Sequence, residues 1–131
     1  MAAAVIAVVA LAVPATAAEQ HRTELLGSNE VGGGDLDGHG YARVSFDQSG
    51  VVCFDIRVAG VDPIAAAHIH AASAGVNGGV VVNFGVDVNG LSGCVEADAA
   101  VIEAIRANPA DYYVNVHNGA FPAGALRGQL G

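Results

Sequence analysis

Residues 41–58 read YARVSFDQSGVVCFDIRV, and apolar side chains occupy every second position on both sides of the turn at residues 48–50. These side chains are Ala42, Val44, Phe46, Val52, Phe54, Ile56 and Val58. Successive side chains of a β-strand point to opposite faces, so each half of the segment predicts a strand with one buried face. A short turn between two such strands indicates an antiparallel pair.

Similar short runs lie on both sides of this pair. We predict further strands at residues 24–26, 66–71, 80–84, 91–95, 112–117 and 123–130, with Gly-containing turns at residues 77–79, 89–90 and 118–119. One segment, residues 98–107, has helical spacing: Asp98 can cap its start, Ile102 and Ile105 share a face with Val101, and Pro109 follows its end. The pattern predicts an all-β sandwich or partly open barrel with one short helix.

The N-terminal segment differs in character from the rest of the chain. Residues 1–18 read MAAAVIAVVALAVPATAA and carry no charged side chain. A short apolar run followed by small residues is typical of a secretory signal peptide, here with cleavage near Ala17 or Ala18, although no Lys or Arg follows Met1. The run is too short to cross the hydrocarbon core of a bilayer, about 30 Å thick. We therefore expect a signal peptide at 1–18, a single domain at 19–131, a secreted or extracytoplasmic location, and no membrane span in the mature protein.

Composition limits the classes of partner. The 131 residues are 53% hydrophobic and 14% charged, and 13 acidic residues against 5 arginines give a net charge of −8. A nucleic-acid binder needs a basic surface to neutralise phosphate, and binding to an anionic membrane surface needs one too. Both classes are excluded, and so is intrinsic disorder, because the chain is too apolar.

The chain has two cysteines, Cys53 and Cys94. An even number of cysteines in an exported protein predicts a disulfide. Cys53 alternates with the apolar positions of its strand, so we expect the bond to lie at the periphery and to tie two strands together.

Three histidines are the candidate metal ligands. His68 and His70 are two residues apart in a predicted strand and therefore share a face, while His117 follows Tyr113 and Asn115 on one face of a later strand. Imidazole suits copper and zinc alike. The alternative interpretation is that these histidines are polar residues of a solvated strand face. No phosphate loop, nucleophile elbow or zinc-protease helix occurs, so the sequence identifies no catalytic and no organic-cofactor-binding residue.

Several segments resemble the CHRD domain, which is named after chordin and occurs in many exported bacterial proteins. The most specific of these segments are AAHIH at 66–70, YYVNVH at 112–117 and GALRGQL at 124–130. The resemblance runs from about Glu24 to Leu130 and implies a Greek-key β-barrel or sandwich, immunoglobulin-like and distantly similar to that of the copper-zinc superoxide dismutases.

The resemblance also bears on the histidines. In the dismutases a His-x-His strand and a later strand histidine bind copper, and His68, His70 and His117 match that group in order and setting. Residues 71–79 contain no His or Asp, so a zinc site of the dismutase kind is not expected. We expect Arg127 to be an ordinary strand arginine with a carboxylate partner rather than an equivalent of the dismutase anion-guiding arginine.

Two function classes follow. The first is an exported, non-catalytic module that binds an extracellular protein or small ligand or has a structural role. The second is a copper-binding redox or metal-handling protein that uses the three histidines. Copper is the one inorganic cofactor that the sequence suggests, and an enzymatic activity is not predicted.

Overall fold

The computed structural model describes residues 2–9, 19–61, 63–86 and 91–131. Its eight strands pair antiparallel throughout in a single sheet. The strands are β1 Glu19–Leu26, β2 His39–Phe46, β3 Val51–Ala59, β4 Ile64–Ala71, β5 Val80–Asn83, β6 Ser92–Glu96, β7 Tyr112–Asn118 and β8 Leu126–Gln129. One α-helix, α1, spans Ala99–Ala107, and short 3-10 turns lie at Gly27–Asn29 and Pro109–Asp111.

The sheet curls into a nearly closed barrel. Its strand order is β5-β4-β7-β8-β1-β2-β3-β6, so the chain crosses between the two halves of the sheet three times, after β3, after β5 and after β6. Side chains from near the two ends of the sheet meet where the rings of Phe54, on β3, and Phe84, just after β5, stack with centroids 4.5 Å apart. The alternating positions of residues 41–58 line the interior as predicted, and Val44, Val52 and Ile56 are fully buried.

The all-β prediction is confirmed, and the main differences concern the lengths of strands. β1 begins at Glu19 rather than Glu24, and β8 covers Leu126–Gln129 rather than the whole of 123–130, because the chain turns at Gly124 with a φ of 141°. The predicted hairpin turn at 77–79 belongs to a longer connection, residues 72–79, between β4 and β5.

Two predictions fall wholly or partly on residues outside the described ranges. The predicted turn at 89–90 is one, and the signal-peptide cleavage site near Ala17 or Ala18 is the other. Residues 2–9 of the predicted signal peptide form no helix or strand, and the side chains of Val5 and Ile6 are exposed. Within the described part of the chain, no helix is long and apolar enough to cross a membrane.

The predicted disulfide is confirmed. Cys53 on β3 lies directly opposite Cys94 on β6, and the two sulfur atoms are bonded. Cys94 is exposed and Cys53 is half-buried, because both alternate with the inward-facing positions of their strands. The bond therefore ties the edge strand β6 to its only hydrogen-bonded neighbour in the described sheet.

Helix α1 matches its prediction closely. Asp98 caps it by accepting a hydrogen bond from the backbone N–H of Ala100 at 2.8 Å. Ile102 and Ile105 are buried in the core, and Val101 packs beside them. An ion pair of 2.8 Å between Arg106 and Glu19 also holds the helix to β1.

Candidate metal centre

Strand β4 presents His68 and His70 on the outer face of the barrel. Ala67 and Ile69 alternate with them and are fully buried in the core, as a two-residue period requires. Both histidines are half-buried, and their ring centroids lie 5.5 Å apart. The sequence prediction that these two imidazoles share a face is confirmed.

Strand β7 brings the third histidine to the same face. It pairs with β4 so that His117 is opposite Ala66 and Asn115 is opposite His68. The ring of His117 is 5.0 Å from that of His68 and 6.3 Å from that of His70, measured between centroids. One nitrogen from each of the three rings lies within 4.8 Å of the other two, and no other such group of His, Cys, Asp or Glu occurs among the described residues. The structure therefore assembles all three predicted residues into one cluster.

Backbone carbonyl groups fix the proton positions of two of the rings. Nδ1 of His70 donates to the carbonyl oxygen of Gly78 at 2.8 Å, and Nδ1 of His117 donates to that of Pro122 at 3.0 Å. A neutral imidazole that carries its proton on Nδ1 has a free lone pair on Nε2. Nε2 of His70 is buried and has no hydrogen-bond partner. Such an orphaned acceptor is costly in a folded protein unless something binds it.

His68 completes the cluster through Nδ1, which lies 3.1 Å from Nε2 of His117. Two nitrogen ligands at the usual metal–nitrogen distance, about 2.0–2.1 Å, are roughly 2.9–3.3 Å apart in square-planar or tetrahedral coordination. The spacing therefore suits two donors to one ion. Without an ion, the same two atoms share a proton, which His68 donates to His117.

Two of the three rings, those of His68 and His117, lie in surroundings that favour their neutral forms. The pKa of His68 is lowered to about 4, mainly by burial and also by the neighbouring charges of His117 and His70. Burial also lowers the pKa of His117, although its hydrogen bond to Pro122 opposes this change. Neutral imidazole is the form that binds a metal, so His68 and His117 do not require a high pH to be ready for one.

A buried carboxyl group, that of Glu30, lies near Asn115, the residue next to His117 on the same strand face. Oδ1 of Asn115 lies 3.1 Å from Nε2 of His117. Glu30 is only 8% exposed, and its Oε1 atom has no hydrogen-bond partner. Burial raises the pKa of Glu30, while the hydrogen bond from Asn115 and the charge of Arg127 act against that rise.

The prediction that Arg127 pairs with a carboxylate is wrong. Its guanidinium group donates to the backbone carbonyls of Ser73 and Val76 and to the side chain of Gln129. No ion pair among the described residues includes Arg127. The physical reason is that carbonyl oxygens of the β4–β5 connection fill the positions that a carboxylate would take.

Sequence reasoning identified the three clustered histidines but missed the groups that orient them. Gly78 and Pro122 act through backbone carbonyls, which leave no side-chain signal. The alternation of Tyr113 and Asn115 with His117 on one strand face is visible in the sequence, but their burial, with each only 2% exposed, is seen only in the structure. A solvated face would not bury them, so the alternative interpretation of these histidines as ordinary surface residues does not describe this face.

Comparison with known proteins gives one match. The profile of the CHRD domain matches residues 21–130, which is nearly the whole described domain. No curated protein and no solved structure gives a significant match. The similarity to the superoxide dismutase fold therefore stays a prediction.

Proposed function

The chain belongs to the CHRD domain family, and we propose that it is an exported binding module whose ligand is a transition-metal ion, Cu²⁺ in the first place, held by His68, His70 and His117. Family membership supports a binding or structural role. The metal is the finer part of the proposal and rests on the chemistry of the cluster.

One observation carries the proposal. Three imidazole nitrogens converge within 4.8 Å, and two of the rings have their Nδ1 protons tied to backbone carbonyls. Histidines that bind metals almost always donate their other ring N–H to such an acceptor, which fixes the tautomer and the orientation of the ring. A solvent-facing histidine cluster without a ligand has no need for this arrangement.

The donor set favours copper. Affinity of a nitrogen site for divalent first-row metals rises along the series to Cu²⁺ and is lower for Zn²⁺. No cysteine competes for the ion, because both cysteines are in the disulfide. Copper held by three imidazoles supplies redox or Lewis-acid chemistry. The β4–β5 connection carries no histidine or aspartate for a second metal, so we propose binding or handling of copper rather than efficient superoxide dismutation.

Export is the second part of the proposal. It is supported by the uncharged apolar segment at 1–18 and by the disulfide, which persists in oxidising compartments. N-terminal sequencing of the protein recovered from the medium or periplasm of an expressing bacterium is expected to begin at Ala18 or Glu19. A mature protein that retains Met1 inside the cell would contradict export.

Titration of metal-free protein with Cu²⁺, followed by electron paramagnetic resonance, tests the metal. We expect one equivalent to bind with nitrogen hyperfine structure. His117→Ala is expected to weaken binding by more than the roughly 10–100-fold that loss of a group hydrogen-bonded to a ligand costs. His39→Ala is the matched control, because His39 is exposed and lies outside the cluster.

Equal binding by the wild type and His117→Ala, or equal losses in His117→Ala and His39→Ala, would remove copper from the proposal. The chain would then remain a binding module for an extracellular protein or small ligand. Zn²⁺ competes in the same titration, and displacement of Cu²⁺ by equimolar Zn²⁺ would contradict the preference for copper.

A further inference from the structure

We infer that Arg127 and Tyr113 are positioning residues for the proposed metal site. They hold the connection at residues 72–79, here called the β4–β5 loop, in the one conformation that keeps Nε2 of His70 free to bind. This inference rests on the proposed function, because it names what controls the third ligand of the same site.

Arg127 fixes the β4–β5 loop from beneath. The residue is 1% exposed, and its two terminal nitrogens donate to the carbonyls of Val76 and Ser73, each at 2.9 Å. Gln129 adds a third tie, since it accepts from Arg127 at 2.9 Å and donates to the carbonyl of Ala72 at 3.1 Å. A buried guanidinium group is costly unless its donors are satisfied, so the loop and the arginine specify each other's conformation.

Tyr113 connects Arg127 to His70. The guanidinium carbon of Arg127 lies 3.4 Å from the centroid of the Tyr113 ring, and the ring of His70 stacks on Tyr113 at 4.8 Å with an interplanar angle of 3°. Strand β7 lies between β4 and β8, so the histidine and the arginine approach Tyr113 from neighbouring strands on opposite sides. The cation and the imidazole together hold the aromatic ring in place.

Gly78 closes the chain of contacts. Its N–H donates to the hydroxyl of Tyr113 at 3.3 Å, and its carbonyl accepts the Nδ1 proton of His70 at 2.8 Å. A side chain at this position would collide with the carbonyl of Ala71, so only glycine fits here. The peptide group of Gly78 thus transmits the loop conformation to the tautomer of His70.

The chemical consequence concerns His70 alone. With Nδ1 as donor to Gly78, the lone pair is on Nε2, the atom that has no partner in the protein. If the loop leaves this position, Nδ1 loses its acceptor, and the proton can move to Nε2 and block it. His117 is held by Pro122, outside the loop, so its orientation does not depend on Arg127.

The test uses Arg127→Gln and Tyr113→Phe, with Arg43→Gln as the matched control, since Arg43 is exposed on β2 in the other half of the barrel. Two readouts are compared in the full chain. The first is the dissociation constant for Cu²⁺ with the number of coordinated nitrogens from electron paramagnetic resonance. The second is the ring tautomer of His70 in metal-free protein, from nitrogen-15 NMR.

We expect Arg127→Gln to weaken Cu²⁺ binding about 10–100-fold, the usual effect of losing a group that orients a ligand. The number of coordinated nitrogens is expected to fall from three to two, and His70 to become a mixture of tautomers. Tyr113→Phe, which removes one hydroxyl group, is expected to change both readouts less and in the same direction. Arg43→Gln is expected to match the wild type.

A folded Arg127→Gln variant with wild-type affinity and a pure Nδ1–H tautomer at His70 would overturn the inference. If that variant does not fold, Tyr113→Phe decides, and unchanged readouts in it overturn the inference equally. A wild-type protein that binds no Cu²⁺ would instead refute the proposed function. The tautomer measurement, made without metal, separates the two failures.

Discussion

The proton on each histidine ring is the feature of single residues that matters most for this site. Gly78 and Pro122 accept the Nδ1 protons of His70 and His117, and His68 shares its own with His117. Each ring is therefore oriented before any ligand arrives. Pre-orientation of this kind reduces the cost of binding, because less conformational freedom is lost when the ligand binds.

The lowered pKa of His68 predicts how stability depends on pH. Its pKa falls from 6.5 to about 4 in the folded protein, so the unfolded chain binds more protons at every pH between these values. The free energy of unfolding is thus at its full value above pH 6.5 and is lost as the pH falls towards 4. We expect this histidine to account for about 2 kcal/mol of that loss, allowing for partial solvent exposure.

Chemical denaturation of metal-free wild type and His68→Asn between pH 4 and 7.5 measures the effect. The raised pKa of Glu30 changes stability in the opposite sense above pH 4.5, but both proteins share it, so it cancels in the difference. The stability difference between the two proteins is expected to shrink as the pH falls from 6.5 to 4. A difference that stays constant over this range would show that His68 titrates normally.

At the scale of elements, the alternating pattern predicted which strand residues face the core, and it did so well. It did not predict which strands pair. Strands β4 and β7 are neighbours in the sheet, although some 50 residues separate His68 from His117 along the chain. Only the family resemblance suggested that their histidines meet. The burial of Tyr113 and Asn115 also escaped prediction, because it depends on the β4–β5 loop lying over the outer face.

Helix α1 offers a test of a single packing face. Ile105 is fully buried, whereas the adjacent Ala104 is exposed. Ile105→Asp puts a charge into apolar surroundings and is expected to lower the free energy of unfolding by about 3 kcal/mol or more. Ala104→Asp introduces the same charge on the solvent side and is expected to cost less than about 1 kcal/mol. Equal losses in thermal unfolding would mean that the helix does not pack through Ile105.

The disulfide belongs to the same scale, because it secures an edge strand. Replacing both Cys53 and Cys94 with alanine is expected to lower the free energy of unfolding by about 2–4 kcal/mol. Amide exchange should accelerate first in β6, whose only hydrogen-bonded neighbour in the described sheet is β3. Affinity for Cu²⁺ should not change, because the histidines lie on β4 and β7. A large loss of affinity in this variant would contradict the independence of the two regions.

At the scale of the whole molecule, the barrel separates its tasks. One half, β6-β3-β2-β1, carries the disulfide and the ion pair with α1. The other half, β5-β4-β7-β8, carries the three histidines and Arg127, which holds the β4–β5 loop. The net charge of −8 suits the proposed metal site, because an acidic protein attracts divalent cations from solution. The same charge is unfavourable for binding nucleic acids and anionic membranes.

Anomalous diffraction at the copper edge, from crystals grown with one equivalent of Cu²⁺, tests the central claim most directly. We expect a single strong peak about 2.0–2.1 Å from Nδ1 of His68, Nε2 of His70 and Nε2 of His117, the usual metal–nitrogen distance. The Nδ1 atoms of His70 and His117 should keep their hydrogen bonds to Gly78 and Pro122. A peak at His39 or on the acidic surface, with none between the three rings, would contradict the proposed metal centre.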